Sequence, residues 1–231
     1  MESGARAVRR PLPASGISVA PGRRRIDSSA DARAAIASGQ HDHVARPHLA
    51  SAFSHAAAAL ALGTAFWRPA LPARFWILGA ACAVLPDLDV IAFRFGIPYE
   101  HVLGHRGLSH SLLFAALLAA VVVALFFSRE RQRGRLWLFF FLATASHAFL
   151  DALTTGRLGV AFFAPLENGR YFFPWRPIEV SPLSISRFFT VRGLAVLRSE
   201  FVWFWLPSLV FAGIVLAWRR AKHPSSFGRP T

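Results

Sequence analysis

Residues 109–127 read SHSLLFAALLAAVVVALFF, and this stretch decides the class of fold. A helix that crosses a bilayer needs about 20 predominantly apolar residues, which is close to the length of this run. Residues 201–218, FVWFWLPSLVFAGIVLAW, have the same character. Because 54% of the chain is hydrophobic and the apolar residues gather in such runs, we expect a membrane protein.

Three further apolar runs extend this interpretation, and two of them are polar toward one end. Residues 136–153 carry His147 and Asp151, and residues 75–95 contain the sequence PDLD. Residues 52–67 are Ala-rich and shorter, so they either span, lie at the interface or fold back into the bundle. We therefore predict an all-α, polytopic membrane helical bundle of about four to five transmembrane helices.

Basic residues predict the orientation of this bundle. Residues 128–135 contain four Arg, and Arg219, Arg220 and Lys222 follow the last apolar run. Such loops are typically cytoplasmic, and Arg68 and Arg74 agree with this assignment. The long aromatic-rich connection over residues 156–200 would then be extracytoplasmic, in the bacterial inner membrane.

The ends of the chain differ in composition from residues 50–222, which we take as the membrane domain. Residues 1–49 are rich in Ala, Ser, Gly, Pro and Arg, and we predict that they form a disordered basic arm. Residues 223–231 are predicted to be a disordered tail. Met1 is the only Met, so translation from Val44 is one explanation of the arm; a genuine arm that touches anionic lipid is the other. The charge of +14 is not taken to predict nucleic-acid binding.

The chemistry available to this chain rests on His and Asp. A single Cys82 excludes an intramolecular disulfide and a Cys-based zinc site. The sequence has no Gly-rich phosphate loop, HExxH helix or GxSxG elbow. Ionisable residues within membrane spans are costly and usually mark a functional site. Seven of them lie within or at the ends of the apolar runs: His55, Asp87, Asp89, His105, His110, His147 and Asp151.

His147 and Asp151 are four residues apart on a predicted helix, so they project from one face. This is ligand spacing, although the two side chains could simply hydrogen-bond each other. His55 is the least informative of the seven, a lone His on an Ala-rich helix.

The sequence HRGLSH places His105 and His110 at the mouth of the 109–127 run. Gly107 permits a turn that brings the two imidazoles together, and Ser109 could cap the helix. Arg106 could bind an anionic substrate or only a lipid phosphate. The alternative is a pair of interfacial histidines.

In the sequence PDLD, Pro86 interrupts a helix and places Asp87 and Asp89 close together. The two carboxylates could bind one metal or bridge two; a helix N-cap is the alternative. Imidazole and carboxylate together suit zinc, with manganese and iron as other choices, and one or two ions. Such ions activate water for attack on a phosphoester.

The order of these motifs resembles the YdjM family of inner-membrane proteins. The resemblance runs from about residue 50 to 218 and includes YFFPWRP at 171–177. It implies a membrane-bound, metal-dependent hydrolase with a distant likeness to zinc-dependent phospholipase C and nuclease folds. It also implies that all seven residues are metal ligands.

The connection after Asp151 combines aromatic residues with Arg, as is typical of the headgroup level of a bilayer. It could cover the metal site or merely rest on the membrane, and residues 186–200 are predicted to form an interfacial helix. We expect metal-activated water to attack an amphiphilic phosphoester such as a lipid at the extracytoplasmic face. Asp87 or Asp89 would act as general base and Arg106 would hold the phosphate. The alternative is a non-enzymatic metal-binding, scaffold or stress-related membrane protein.

Overall fold

The computed structural model describes residues 49–69, 71–156, 158–179 and 191–222. Over these residues the fold is all-helical, as predicted, with two isolated β-bridges and no strand. The predictions for residues 1–48 and 223–231 lie outside the described residues. The helices are α1 (Leu49–Phe66), α2 (Arg74–Val84), α3 (Leu112–Phe126), α4 (Arg133–Ala152), α5 (Val191–Glu200) and α6 (Leu206–Lys222).

The described residues also contain three segments of other helical type, of which Leu108–His110 is a short 3-10 turn just before α3. Leu85–Phe95 continues α2 as a 3-10 helix with Pro86 in its first turn, so the predicted interruption at this proline is confirmed. Phe201–Trp205 forms a π-helical turn that connects α5 to α6 without a break in the chain's helical path. Of the predicted interfacial helix over 186–200, residues 191–200 are helical and continue into the last apolar helix, while residues 186–190 lie outside the described residues.

Helix α1 packs against α2, α4 and α6, and α3 packs against α4. The small side chains Ala59 and Ala61 let neighbouring helices approach α1 closely. The main core contains Phe75, Phe139 and Cys82, so the cysteine packs in the core as predicted. This packing buries His55 of α1 almost completely.

Within the described part of the chain, two helical segments are long and apolar enough to cross a membrane, Arg74–Phe95 and Leu194–Lys222. The shorter apolar helices are Ala52–Phe66 and Leu112–Phe126. None of the side chains of α6 is buried. Its large apolar residues are open to the surroundings, which is what contact with lipid requires.

The arginines of two helices bind the end of a third. Arg135, in the first turn of α4, donates to the Ala65 carbonyl at 2.8 Å, and Arg219 of α6 donates to the Thr64 carbonyl at 2.8 Å. The last carbonyls of a helix have no partner within the helix, so these guanidinium groups satisfy them. The C-terminal end of α1 is thus a basic end of the bundle, and His55 lies toward the opposite end of the same helix.

Candidate metal centre

The seven sequence-predicted residues come from four parts of the fold and lie in one cluster. His55 is on α1, Asp87 and Asp89 on the 3-10 segment, His105 and His110 before α3, and His147 and Asp151 on α4. We call these seven residues the His/Asp cluster. His55, His110 and His147 are buried almost completely.

The local sequence explains how His147 is held. Pro86 lacks the N–H that would occupy the Ala83 carbonyl in a 3-10 turn. His147 Nδ1 lies 2.6 Å from that carbonyl oxygen, so Nδ1 is the donating nitrogen. The lone pair of Nε2 then faces the cluster, 3.4 Å from Asp87 Oδ1 and 3.8 Å from Asp151 Oδ2.

His110 is held in the same way by a different group. Its Nδ1 is hydrogen-bonded to Ser109 Oγ at 3.0 Å and lies 3.1 Å from Asp89 Oδ2, and its Nε2 lies 3.4 Å from Asp151 Oδ2. Neither His110 Nε2 nor His147 Nε2 has a hydrogen-bond partner, although both atoms are buried. Two imidazole nitrogens thus converge on carboxylate oxygens without bonding to them.

His55 lies against this arrangement. Its ring stacks on that of His147 with centroids 3.8 Å apart, and its Nε2 is 3.6 Å from Asp151 Oδ1. The ligand atoms of Asp87, His110, His147 and Asp151 all lie within 4.8 Å of one another, as do those of a second group, Asp89, His105 and His110. His55 belongs to neither group. The cluster can accordingly bind a metal ion, and four side chains form its densest part.

Arg106 is buried beside Asp151. Its Nε is 3.0 Å from Asp151 Oδ2 without hydrogen-bond geometry, so the contact is an ion pair. Its terminal nitrogens bind the Thr154 hydroxyl at 3.0 Å and the Leu158 carbonyl at 3.3 Å. The residue has a φ of 62°, a left-handed conformation that is unusual without glycine and is held here by contacts on every side. The guanidinium group is therefore occupied by protein groups rather than directed at an open site.

Two expectations about local structure were wrong. Ser109 does not cap α3: Ser111 does, accepting from the Phe114 N–H at 3.1 Å, while Ser109 Oγ donates to Asp89 at 2.5 Å. The 3-10 segment has no side-chain cap, so the N-cap alternative for its two aspartates is also wrong. Gly107 lies in the expected turn, in which the Leu108 N–H donates to the Val102 carbonyl. Glycine is needed there because a Cβ would overlap that carbonyl.

Sequence reasoning missed the role of Arg170. It was expected at the membrane surface, but its guanidinium binds the carbonyls of His105 at 3.0 Å and Tyr99 at 2.9 Å. These contacts fix the loop that carries His105. The Tyr99 ring packs edge-on against His105, and burial raises the pKa of the Tyr99 phenol, so it stays protonated. The Ala83 carbonyl gave no sequence signal, because any residue supplies a carbonyl.

The fold and cluster together define a helical membrane protein with a buried imidazole and carboxylate centre. The family model described as YdjM inner membrane protein matches residues 49–223, so the chain belongs to this family and the resemblance is confirmed. The chain is also 41% identical over 170 residues to the inner membrane protein YbcI of Escherichia coli (strain K12). That match covers 72% of this chain and 96% of the relative. No solved structure matches the chain.

Proposed function

We propose that the protein is a multi-pass, metal-dependent hydrolase of the inner membrane whose divalent ion is held by Asp87, His110, His147 and Asp151. The observation that carries this proposal is the pair of buried, unpartnered nitrogens, His110 Nε2 and His147 Nε2. A buried polar atom without a hydrogen-bond partner is rare, and the binding of an ion is one of its few explanations. Zinc is the ion that two imidazoles and two carboxylates suit best, with manganese as the second choice.

The charge of the cluster supports a divalent cation. Asp87, Asp89 and Asp151 supply three carboxylates, and among the residues that the structure describes the guanidinium of Arg106 pairs with Asp151. With neutral imidazoles, the cluster therefore carries a net charge of about −2. Buried charges are stable only when they are paired, and one divalent cation would balance this excess.

Asp87 lies at the accessible side of the centre. Its side chain is 20% exposed, whereas that of Asp151 is 8% exposed and that of His147 is fully buried. A bound zinc ion acts as a Lewis acid and lowers the pKa of a coordinated water to about 7. Asp87 is consequently the ligand beside which water would reach the ion, and the oxygen of its carboxylate that does not bind the ion would accept the proton of that water. Arg106 holds Asp151 in place rather than the substrate.

The arrangement of helix ends supports an extracytoplasmic site. Arg135 and Arg219 bind the C-terminal end of α1, and the cluster forms near the opposite ends of α1 and α4. If the basic end is cytoplasmic, as the positive-inside rule indicates, the centre faces outward. The chain then crosses the membrane four to five times, and an amphiphilic phosphoester in the outer leaflet would reach Asp87.

Turnover of a defined lipid tests this proposal. The purified protein would be reconstituted with zinc in vesicles of phosphatidylethanolamine and phosphatidylglycerol, and released headgroups would be measured by mass spectrometry. We expect release that chelation abolishes and that Asp87→Asn lowers by about 100-fold or more. His101→Ala is the matched control, because this histidine is exposed and outside the cluster, and it should leave turnover unchanged.

A structural metal site is the second candidate function. It is favoured by the near-complete burial of His55, His110 and His147, because structural zinc sites are closed. In that case Asp87→Asn would release metal and lower the melting temperature, but no vesicle lipid would be cleaved. A metal-loaded, folded protein that releases no headgroup would therefore replace the hydrolase with a non-enzymatic membrane protein.

A further inference from the structure

The contacts within the His/Asp cluster are of two kinds. Around Asp89 they are hydrogen bonds: one carboxylate oxygen is 2.6 Å from His105 Nδ1, and the other is 2.5 Å from Ser109 Oγ. The second oxygen also accepts from the Arg106 N–H at 3.2 Å and lies 3.1 Å from His110 Nδ1. Three donors thus hold this one carboxylate, and His110 Nδ1 is hydrogen-bonded to one of them, Ser109 Oγ, at 3.0 Å.

The second kind of contact lies between His110, His147, Asp87 and Asp151. Ligand atoms here are separated by 3.4, 3.4 and 3.8 Å, and no hydrogen bond joins them. Ligands about 2.0–2.2 Å from one tetrahedral ion are separated from each other by about 3.3–3.6 Å. The two contacts of 3.4 Å have the spacing of atoms that share an ion, and the contact of 3.8 Å is slightly longer.

The spacing around Asp89 does not fit an ion. At 2.6 Å, Asp89 Oδ1 and His105 Nδ1 are closer than two ligands of one tetrahedral ion, and a direct hydrogen bond accounts for the distance. A metal in this second group would have to break that bond and displace the Ser109 hydroxyl. It would also need the Nδ1 proton of His110 to be lost.

We propose that Asp89 is a positioning residue and not a metal ligand, an inference that rests on the proposed metal centre. Because Asp89 accepts the Ser109 hydroxyl proton, Ser109 Oγ accepts from His110 Nδ1 at 3.0 Å. Asp89, which lies 3.1 Å from the same nitrogen, so fixes the tautomer whose Nε2 lone pair faces the ion. The Ala83 carbonyl does the same for His147. His105 and Ser109 hold Asp89 in turn. Carboxylates that orient metal-bound histidines in this way usually change metal affinity by about 10–100-fold.

Amide and alanine substitutions distinguish the two roles. An Asn at position 89 can keep a carbonyl oxygen opposite His110 Nδ1 while its amide group faces His105, but an Ala removes the acceptor. A ligand role would make Asn and Ala equally harmful, because a neutral amide replaces a carboxylate ligand poorly. The same pair of substitutions at Asp87, which we assign as a ligand, provides the matched control.

Zinc affinity would be measured by chelator competition on the full-length protein in detergent, with stoichiometry from elemental mass spectrometry. Cobalt-substituted protein adds the ligand-field spectrum, which reports the atoms bound to the ion. We expect one equivalent in the wild type. Asp89→Ala should weaken zinc by about 10–100-fold, and Asp89→Asn should weaken it less, with the cobalt band retained in both. Asp87→Asn and Asp87→Ala should both lose the ion.

Three results would overturn this assignment. Two equivalents in the wild type that fall to one in Asp89→Asn would make Asp89 a ligand of a second ion. Equal losses in Asp89→Asn and Asp89→Ala, with a changed cobalt spectrum, would make it a ligand of the first. Unchanged affinity in Asp89→Ala would remove its positioning role. Absence of metal from the folded wild type would instead show that the proposed centre itself is wrong.

Discussion

Asp151→Asn removes the carboxylate that pairs with the buried Arg106, and its effect on stability can be worked from the structure. The two side chains are 8% and 7% exposed, and Arg106 Nε lies 3.0 Å from Asp151 Oδ2. Two unit charges about 4 Å apart interact with about 4 kcal/mol at an effective dielectric constant of about 20. Removing one partner of a buried pair typically costs about 3–5 kcal/mol, because the other charge stays buried. We expect a loss toward the lower end of this range for the metal-free protein, because the amide also relieves the repulsion between Asp151 and the Asp87 carboxylate.

The assay is unfolding of the chelated protein in mild detergent with increasing dodecyl sulfate, followed by circular dichroism. Glu130→Gln is the control, because it removes a carboxylate near the basic end of α4, away from the cluster. Adding Arg106→Gln to Asp151→Asn should recover part of the lost stability, because the buried positive charge is then gone. A cost below about 1 kcal/mol for Asp151→Asn, or no recovery in the double variant, would refute the buried pair.

Two further variants test the packing that positions the site. Gly79→Ala should lower the free energy of unfolding by about 1–3 kcal/mol, because a Cβ there would lie 2.7 Å from the Phe139 ring. Gly134→Ala is its control: a Cβ at Gly134 would meet nothing within 4 Å, so this change should be neutral or stabilising in the same unfolding assay. Arg219→Gln should lower stability by about 1.5–3 kcal/mol, because it removes a charged hydrogen bond to the Thr64 carbonyl. An unchanged unfolding midpoint in either Gly79→Ala or Arg219→Gln would contradict the contact concerned.

The helices could be predicted because apolar run length is a strong signal in a membrane protein. Pro86 likewise predicted the change of helix type, since a missing N–H acts locally. The four-residue spacing predicted that His147 and Asp151 share a face, and they do point to the same locus. These features depend on residues that are close in the sequence, so no knowledge of the packing was needed.

The tertiary contacts of the cluster could not be predicted from the same patterns. Ser109 and Ser111 both precede α3. In the fold Ser109 donates to Asp89, which comes from a distant part of the chain, and Ser111 caps the helix. The sequence also predicted that Arg106 would hold the substrate phosphate, whereas in the fold its guanidinium contacts Asp151. The sequence pattern identified seven candidate ligands but did not distinguish residues that bind an ion from residues that position the ligands. Which nitrogen donates and which remains free depends on partners from distant parts of the chain.

Metal content of the purified protein tests the central claim most directly. Wild type and His147→Ala/Asp151→Asn would be purified in the same detergent, shown to be folded by circular dichroism, and examined by elemental mass spectrometry and X-ray absorption. The proposed centre predicts about one equivalent of zinc or manganese in the wild type, with nitrogen and oxygen ligands at about 2.0–2.2 Å, and its loss from the double variant. A folded wild type that holds no metal, even after reconstitution with zinc and manganese, would contradict the proposed centre.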